Sequence, residues 1–244
     1  MAADSFQHNF ESGLNDYNKR LIKFIVDNEM IKPGFEVADI GCGVGIYSVQ
    51  FAKRGCKVTL MDISSKMLMY AERNMAEINA DCRTVRCDFA EYEPEGRYNL
   101  SFASMSPVIS SLETVQKMSG MTHGWCFATK FCSWEHPNGD RIFRLLDMTP
   151  RKTSSRLHEE CEKFMQTVSQ AGYEPQVEYA DYSWNDDFTT GDMAKSIIKR
   201  YFNGDEITEE LQEKIRTAAA ELADSDGVIR DAVNTKVAWI YWKT

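Results

Sequence analysis

No uninterrupted apolar run in the 244 residues approaches the roughly 20 that a membrane-spanning helix needs, so no helical span is expected. The opening stretch, Met1 to His8, lacks a basic region followed by an apolar one. That leaves secretion unsignalled and makes the cytoplasm the expected location. Paired CxxC spacing is also missing. The seven cysteines (Cys42, Cys56, Cys82, Cys87, Cys126, Cys132 and Cys161) are an odd number and read as mostly buried thiols in a reducing compartment. Positive charge is scarce, with 28 Lys and Arg against 37 Asp and Glu and a net charge of −9. A broad nucleic-acid footprint needs clustered cations and is not expected. The densest basic run, Arg151-Lys152 with Arg156, is short and broken by hydroxyl residues. Repeats and low-complexity tracts are absent. What is present is a 43% apolar fraction, enough to bury a full core, and the whole of 1–244 is read as one domain.

Apolar periodicity supplies the elements. Leu14, Tyr17, Leu21, Phe24 and Ile25 predict a helix over Glu11–Glu29. Strands are predicted at Phe35–Ile40, Lys57–Met61, Cys82–Cys87, Tyr98–Ala103, Trp125–Phe131, Pro175–Tyr182 and Val237–Trp242. Helices fall between them: Ile46–Arg54, a run capped by Ser64 or Ser65, a run through Leu112, Val115 and Met118, and one from Leu157 to Ala171. Asn138-Gly139-Asp140 reads as a turn. Two further helices, marked by Met193–Tyr201 and Ile207–Leu222, precede the last strand. Strands alternating with helices through short connections imply an α/β fold with a parallel sheet and helices on both faces.

The chain is organised around Val37-Ala38-Asp39-Ile40-Gly41-Cys42-Gly43-Val44-Gly45. A strand, a glycine at every second position and a helix make a corner where a nucleotide-sized ligand can approach the backbone. Acids end two neighbouring strands. Asp62 follows Gly41 by about 20 residues, where a carboxylate meets ribose hydroxyls, and Asp88 ends the third strand at the same sheet edge. Either acid can alternatively serve as a cap or turn former. The dinucleotide fingerprint places its third glycine where Ile46 stands here. Asp39 would repel a pyrophosphate and favour a cationic ligand. An NAD(P)-dependent Rossmann oxidoreductase is therefore the second reading, and a catalytically inactive cofactor-binding partner subunit the third.

These motifs, with Cys-Asp-Phe at 87–89, resemble those of the class I S-adenosylmethionine-dependent methyltransferases over roughly Phe35 to Phe131. The resemblance implies a Rossmann-like fold: a seven-stranded, mostly parallel sheet with an antiparallel last strand and helices on both faces. A helical insertion over 185–228 before that strand would form a possible lid. Residues 1–34 would be an N-terminal helical segment and 35–136 the cofactor-binding core. By the same resemblance, Gly41, Cys42, Gly43 and Gly45 would border the methionine part of S-adenosylmethionine, with Asp39 near its ammonium. Asp62 would hold the ribose, Ile63 pack on adenine, Asp88 accept from the adenine amino group and Phe89 flank the ring. Ser104 would border the methionine moiety. Tyr17 is either an aromatic over the cofactor or a helix core residue. The product would be S-adenosyl-L-homocysteine.

Methyl transfer from a sulfonium is an in-line displacement and needs a base only when the acceptor must lose a proton. Ser104-Met105-Ser106-Pro107 lacks the acid or amide and the aromatic that mark adenine and glutamine N-methyltransferases. A small-molecule O, N or S acceptor is expected. Trp134, Tyr182 and Trp184 are candidate walls of its pocket or, alternatively, packing residues. His136 is either a base or an ordinary loop histidine. The spacing of His123, Cys126, Cys132 and His136 offers thiolate and imidazole, the ligand types of a zinc site. One extended strand would hold the two thiols about 20 Å apart, too far for one tetrahedral ion, and no metal is expected. Neither oligomeric state nor pathway follows from the sequence.

Overall fold

Pro33-Gly34 and Gly55 break the chain on either side of the first strand-turn-helix unit, and the elements after it follow the predicted alternation. The computed structural model describes residues 2–11, 14–150, 154–202 and 207–244. Ser12 and Gly13 of the predicted first helix, Arg151 and Lys152 of the basic run, and residues 203–206 of the predicted insertion lie outside them.

In chain order the elements are α1 (Ala2–Glu11), α2 (Asp16–Asp27), β1 (Glu36–Ile40), α3 (Ile46–Ala52), β2 (Lys57–Asp62), α4 (Ser65–Ala76), β3 (Cys82–Arg86), β4 (Tyr98–Ser104) and α5 (Leu112–Gly120). Then come β5 (Thr122–Glu135), α6 (Pro137–Leu145), α7 (Ser154–Gln170), β6 (Gln176–Phe188), α8 (Thr190–Tyr201), α9 (Glu209–Ala220) and β7 (Ile229–Lys243). The predicted helix Glu11–Glu29 is corrected to α2, Asp16–Asp27, while Glu11 ends the separate helix α1. Asn15 caps α2, its Oδ1 accepting from Asn18 N at 2.8 Å, so a helix begins where continuity was expected. The predicted turn at Asn138-Gly139-Asp140 is corrected to the first turn of α6, started by Pro137, whose missing N–H costs nothing at that position.

The seven strands form one sheet in the order β3-β2-β1-β4-β5-β7-β6. β1 pairs parallel with β2 and β4, β2 with β3, and β4 with β5, while the end strands are antiparallel. That is the predicted fold class. Five strands run further than predicted, β2 and β4 by a single residue and β5, β6 and β7 by several, β7 most of all. Its first half alternates buried and exposed, but two of its inward positions are Asp231 and Thr235, so the apolar period was masked.

Two compact units emerge. The first comprises Met1–Lys130, Cys161–Ala180 and Ala238–Thr244, and the second Phe131–Glu160 and Asp181–Val237. In the first unit an aromatic ladder fills the core. Phe51 meets Phe102 at 5.2 Å, Phe102 stacks on Phe127 at 5.7 Å, and Phe127 stacks on Tyr241 at 5.9 Å. Each buried ring is worth about 1.5–3 kcal/mol over leaving it exposed. The second unit has its own core, in which Phe143 of α6, Met193 and Ile197 of α8, Ile215 of α9 and Ile229 of β7 share one buried cluster. Among the described residues no helix is long and apolar enough to cross a membrane.

Candidate functional site

The glycine corner lies in the first unit, at the carboxyl end of β1. Gly41, Gly43 and Gly45 all have positive φ, at 72°, 56° and 80°, a conformation L side chains avoid. Their surroundings differ. A Cβ on Gly41 would lie 2.4 Å from Ser106 Oγ, and one on Gly45 would press on Ala71 Cβ at 3.2 Å. A Cβ on Gly43 would meet nothing within 4 Å. Two of the glycines therefore let the loop pack inward, and the third leaves backbone exposed where a ligand can lie against it.

Hydrogen bonds lock this loop to β2. Gly41 N and Cys42 N both donate to Met61 O, at 2.7 and 3.0 Å. Asp62 Oδ2 accepts from Gly43 N at 2.9 Å, and its Oδ1 accepts from Ser64 N at 2.8 Å. Each carboxylate oxygen accepts one backbone N–H and keeps lone-pair capacity for a hydroxyl donor. Asp62 is thus a structural latch that can also hold a diol. Beside it, Ile63 is 64% exposed, an apolar side chain left in the open at the same edge.

Asp39 is buried under the loop and accepts from Ser48 Oγ at 2.5 Å. Burial, aided by the charge of Asp62 and opposed by the Ser48 hydrogen bond, pushes its carboxyl up to about 7. The group therefore titrates near neutrality and would be drawn into its ionised form by a nearby cation. Cys42 is held well above the usual thiol range by burial and then by the charges of Asp39 and Asp62, so it is no thiolate nucleophile.

The other predicted positions are placed as follows. Asp88 Oδ1 accepts from Ala90 N at 3.0 Å, a turn-forming contact. Phe89 is buried and stacks on Tyr92 with centroids 6.3 Å apart. Ser104 Oγ bonds Thr129 Oγ1 at 3.1 Å, and the next residue, Met105, takes a positive φ of 53° as the chain bends back toward the glycines. Tyr17 is buried in the core, its hydroxyl accepting from Trp239 Nε1 at 3.1 Å. The core alternative describes its packing.

In the second unit the acceptor-side candidates come together. The rings of Trp134 and Trp184 lie 5.5 Å apart and those of Tyr182 and Trp184 5.1 Å. The Arg200 guanidinium sits 5.9 Å from the Trp184 ring. Trp134 Nε1 donates to Tyr201 Oη at 2.9 Å, and Tyr201 Oη bonds His136 Nδ1 at 2.8 Å. His136 has no exposure, unlike an ordinary loop histidine. Its Nε2 bonds both oxygens of Asp231, at 2.8 and 2.9 Å, and Arg200 Nη1 reaches Asp231 Oδ2 at 3.3 Å. Burial pushes the Tyr201 hydroxyl up to about 12, with the Trp134 bond opposing. Burial also acts to raise Asp231, but the His136 bond and the charges of His136 and Arg200 outweigh it and hold the carboxyl below its ordinary value. Both ring nitrogens of His136 are thus engaged, Nδ1 by Tyr201 and Nε2 by Asp231, with Arg200 Nη1 3.4 Å from Nε2.

Sequence reading missed Ser48, Asn74, Met105, Ser106, Arg200, Tyr201 and Asp231. Of these, Ser48 and Asp231 carry a signal, as polar residues at positions that the helix and strand periods assign to the interior.

Residues 37–121 match a family described as a methyltransferase domain. Malonyl-[acyl-carrier protein] O-methyltransferase 1 of Ilyobacter polytropus is 29% identical over 105 residues, covering 39% of each chain. Ribosomal protein L11 methyltransferase of Thermotoga neapolitana is 27% identical over 115 residues, 47% of this chain and 42% of that one. The match thus spans about two-fifths of the length of these curated relatives. Magnesium protoporphyrin IX methyltransferase from Synechocystis PCC 6803, solved with bound S-adenosylhomocysteine, shares the fold. It superposes with a TM-score of 0.51 at 13% identity, covering 91% of this chain and 81% of that one.

Proposed function

We propose, from the match of residues 37–121 to a methyltransferase-domain family, that the chain transfers the methyl group of S-adenosylmethionine to a small-molecule O, N or S acceptor. The observation that carries this reading is the glycine corner, where Gly43 offers bare backbone between the latch at Asp62 and the near-neutral carboxyl of Asp39. The donor set fits the group. Asp62 has lone pairs for ribose hydroxyls, Ile63 an apolar face for adenine, and Asp39 a negative charge for an ammonium. A pyrophosphate fits it less well, since the buried acid lies under the loop that would receive it. When bound, S-adenosylmethionine supplies a methyl group activated by a sulfonium.

The chain's own part is to bind, align and exclude water. Gly41, Gly43 and Gly45 hold the loop, Asp62 fixes it, and Ser104 with Met105 closes the end of β4 against it. Asp88 and Phe89 contribute to the same cofactor region, Phe89 through packing, while Tyr17 serves the core beside Trp239. We assign acceptor binding to Trp134, Tyr182 and Trp184 of the second unit, whose faces suit a flat or cationic molecule. His136 is the base of this reading and acts through Tyr201 where the acceptor has a proton to lose. The small-molecule choice is supported by the net charge of −9, and the whole chain is taken to work as one domain. The seven cysteines, all free, support a cytoplasmic location.

Isothermal calorimetry with S-adenosylhomocysteine and with NADH separates the two cofactor readings. Binding of the first and not the second is expected, and the reverse would overturn the assignment. A methyl-transfer screen against metabolite extracts, read by mass, then tests the acceptor class. Turnover only with an RNA or protein fraction would refute the small-molecule part.

A further inference from the structure

The carbonyl between the second and third glycines has a partner contributed by neither β1 nor β2. Asn74 of α4, 1% exposed, donates from Nδ2 to Val44 O at 2.9 Å. The second Nδ2 hydrogen goes to Gln7 Oε1 at 2.9 Å, and Gln7 Nε2 donates back to Asn74 Oδ1 at 3.0 Å. The two amides thus form a closed pair inside the protein, with Gln7 only 5% exposed on α1. Their orientation is fixed by chemistry, since a flipped Asn74 would set its oxygen against the Val44 carbonyl. One helical turn earlier, Ala71 of the same helix backs Gly45. Further along, Lys66 and Tyr70 hold Asp4 of α1, each at 2.7 Å. Asp4 and Gln7 therefore lie on the face of α1 turned to α4, and Asn74 joins that contact to the glycine loop.

We propose that Asn74 is a positioning residue for the cofactor loop, and that through it the docking of α1 and the binding of cofactor form one coupled equilibrium. This deepens the functional reading and rests on the loop being where the cofactor lies. Both amides and the Val44 carbonyl are buried, and removing one partner strands the others without water. Val44 sits between two residues of positive φ, so the plane of its peptide sets how the loop presents the Gly43 backbone. If α1 lifts away, Gln7 leaves Asn74 half-partnered and the restraint on Val44 loosens. A ligand that needs the loop in its present form must then favour docked α1, and docked α1 must favour the ligand by the same factor.

Deuterium exchange and calorimetry test this on the full chain. Gln7→Ala, on a terminal helix away from the central sheet, is expected to speed exchange at the amides of residues 43–46 without any ligand. It should also weaken S-adenosylhomocysteine binding several-fold. Asn74→Ala should weaken it by about tenfold. Asn74→Asp keeps size and acceptor but loses the donor to Val44, so it should lose as much. In turnover both Asn74 variants raise KM for the methyl donor and leave KM for the acceptor unchanged, a split that general destabilisation would not produce. In the wild type, S-adenosylhomocysteine should slow exchange in α1. Unchanged loop exchange in Gln7→Ala, or ligand binding with no protection of α1, would overturn the coupling. Should the wild type bind neither donor nor product, the functional reading fails, while the ligand-free exchange of Gln7→Ala still decides whether α1 and the loop are joined.

Discussion

Asp39 makes cofactor affinity depend on pH, in a direction the structure fixes. Its carboxyl is pushed up to about 7 by burial and the charge of Asp62, so near neutrality the free protein holds a mixture of acid and carboxylate. An ammonium or sulfonium nearby favours the carboxylate, and binding therefore releases a proton. Below the free-state value that proton must first be removed, and affinity falls by up to tenfold per pH unit, or about 1.4 kcal/mol. For a free-state value of about 7 and a bound-state value well below 6, the dissociation constant for S-adenosylhomocysteine should rise about tenfold between pH 8 and pH 6. Calorimetry in buffers of different ionisation enthalpy should show about half a proton released per site at pH 7. Asp39→Asn keeps the shape and an acceptor for Ser48 but cannot ionise. Its affinity should sit near the low-pH wild-type value, and its pH profile should contain only the titration of the ligand. Identical profiles for Asp39→Asn and wild type, or no proton release, would refute the reasoning.

Gly41→Ala forces a Cβ to within 2.4 Å of Ser106 Oγ at a φ of +72°. It should cost about 1–3 kcal/mol and lower the melting temperature by several degrees, a loss that Ser106→Gly relieves only in part because the backbone strain remains. Asp231→Ala leaves His136 without its carboxylate and Arg200 with only that of Asp186, 3.8 Å away, and should destabilise by about 3–5 kcal/mol in denaturant titration. The carboxyl of Asp231 is depressed in the folded protein. Its contribution to stability is thus present above the unfolded-state value near 4 and disappears as pH falls through the lower folded-state value. The wild type should therefore lose its advantage over Asp231→Asn on acidification, and a constant gap down to pH 2 would contradict this. Trp184→Ala removes the ring between Trp134, Tyr182 and Arg200. It should raise the acceptor KM about tenfold with no change in S-adenosylhomocysteine affinity.

Much of the fold was legible because parallel strands buried on both faces read as continuous apolar runs. The corner was legible because positive φ at alternating positions all but demands glycine. The order β3-β2-β1-β4-β5-β7-β6 was not read from the sequence, and the seven-stranded sheet with its antiparallel last strand came with the family resemblance. What escaped notice was long-range or polar. His136 and Asp231 stand 95 residues apart, and no local pattern announces that they meet. Asn74 looks like one more polar residue on a surface helix, since its burial depends on an amide brought by α1. Asn-Gly-Asp at 138–140 has turn chemistry, yet the glycine is there for closeness: a Cβ on Gly139 would lie 2.4 Å from His136 Nδ1. Local propensity gave way to the need to pack α6 over that ring.

The interleaving of the two units has a consequence for biosynthesis. The last seven residues, Ala238–Thr244, belong to the first unit, although Phe131–Glu160 and Asp181–Val237 of the second unit leave the ribosome before them. Tyr241 stacks on Phe127, and Trp242 Nε1 donates to Ser119 Oγ at 2.9 Å. Both partners are thus translated more than a hundred codons before the rings that cover them. A nascent chain emerging from its amino end carries these surfaces bare until residues 238–244 have been made, after the whole of the second unit.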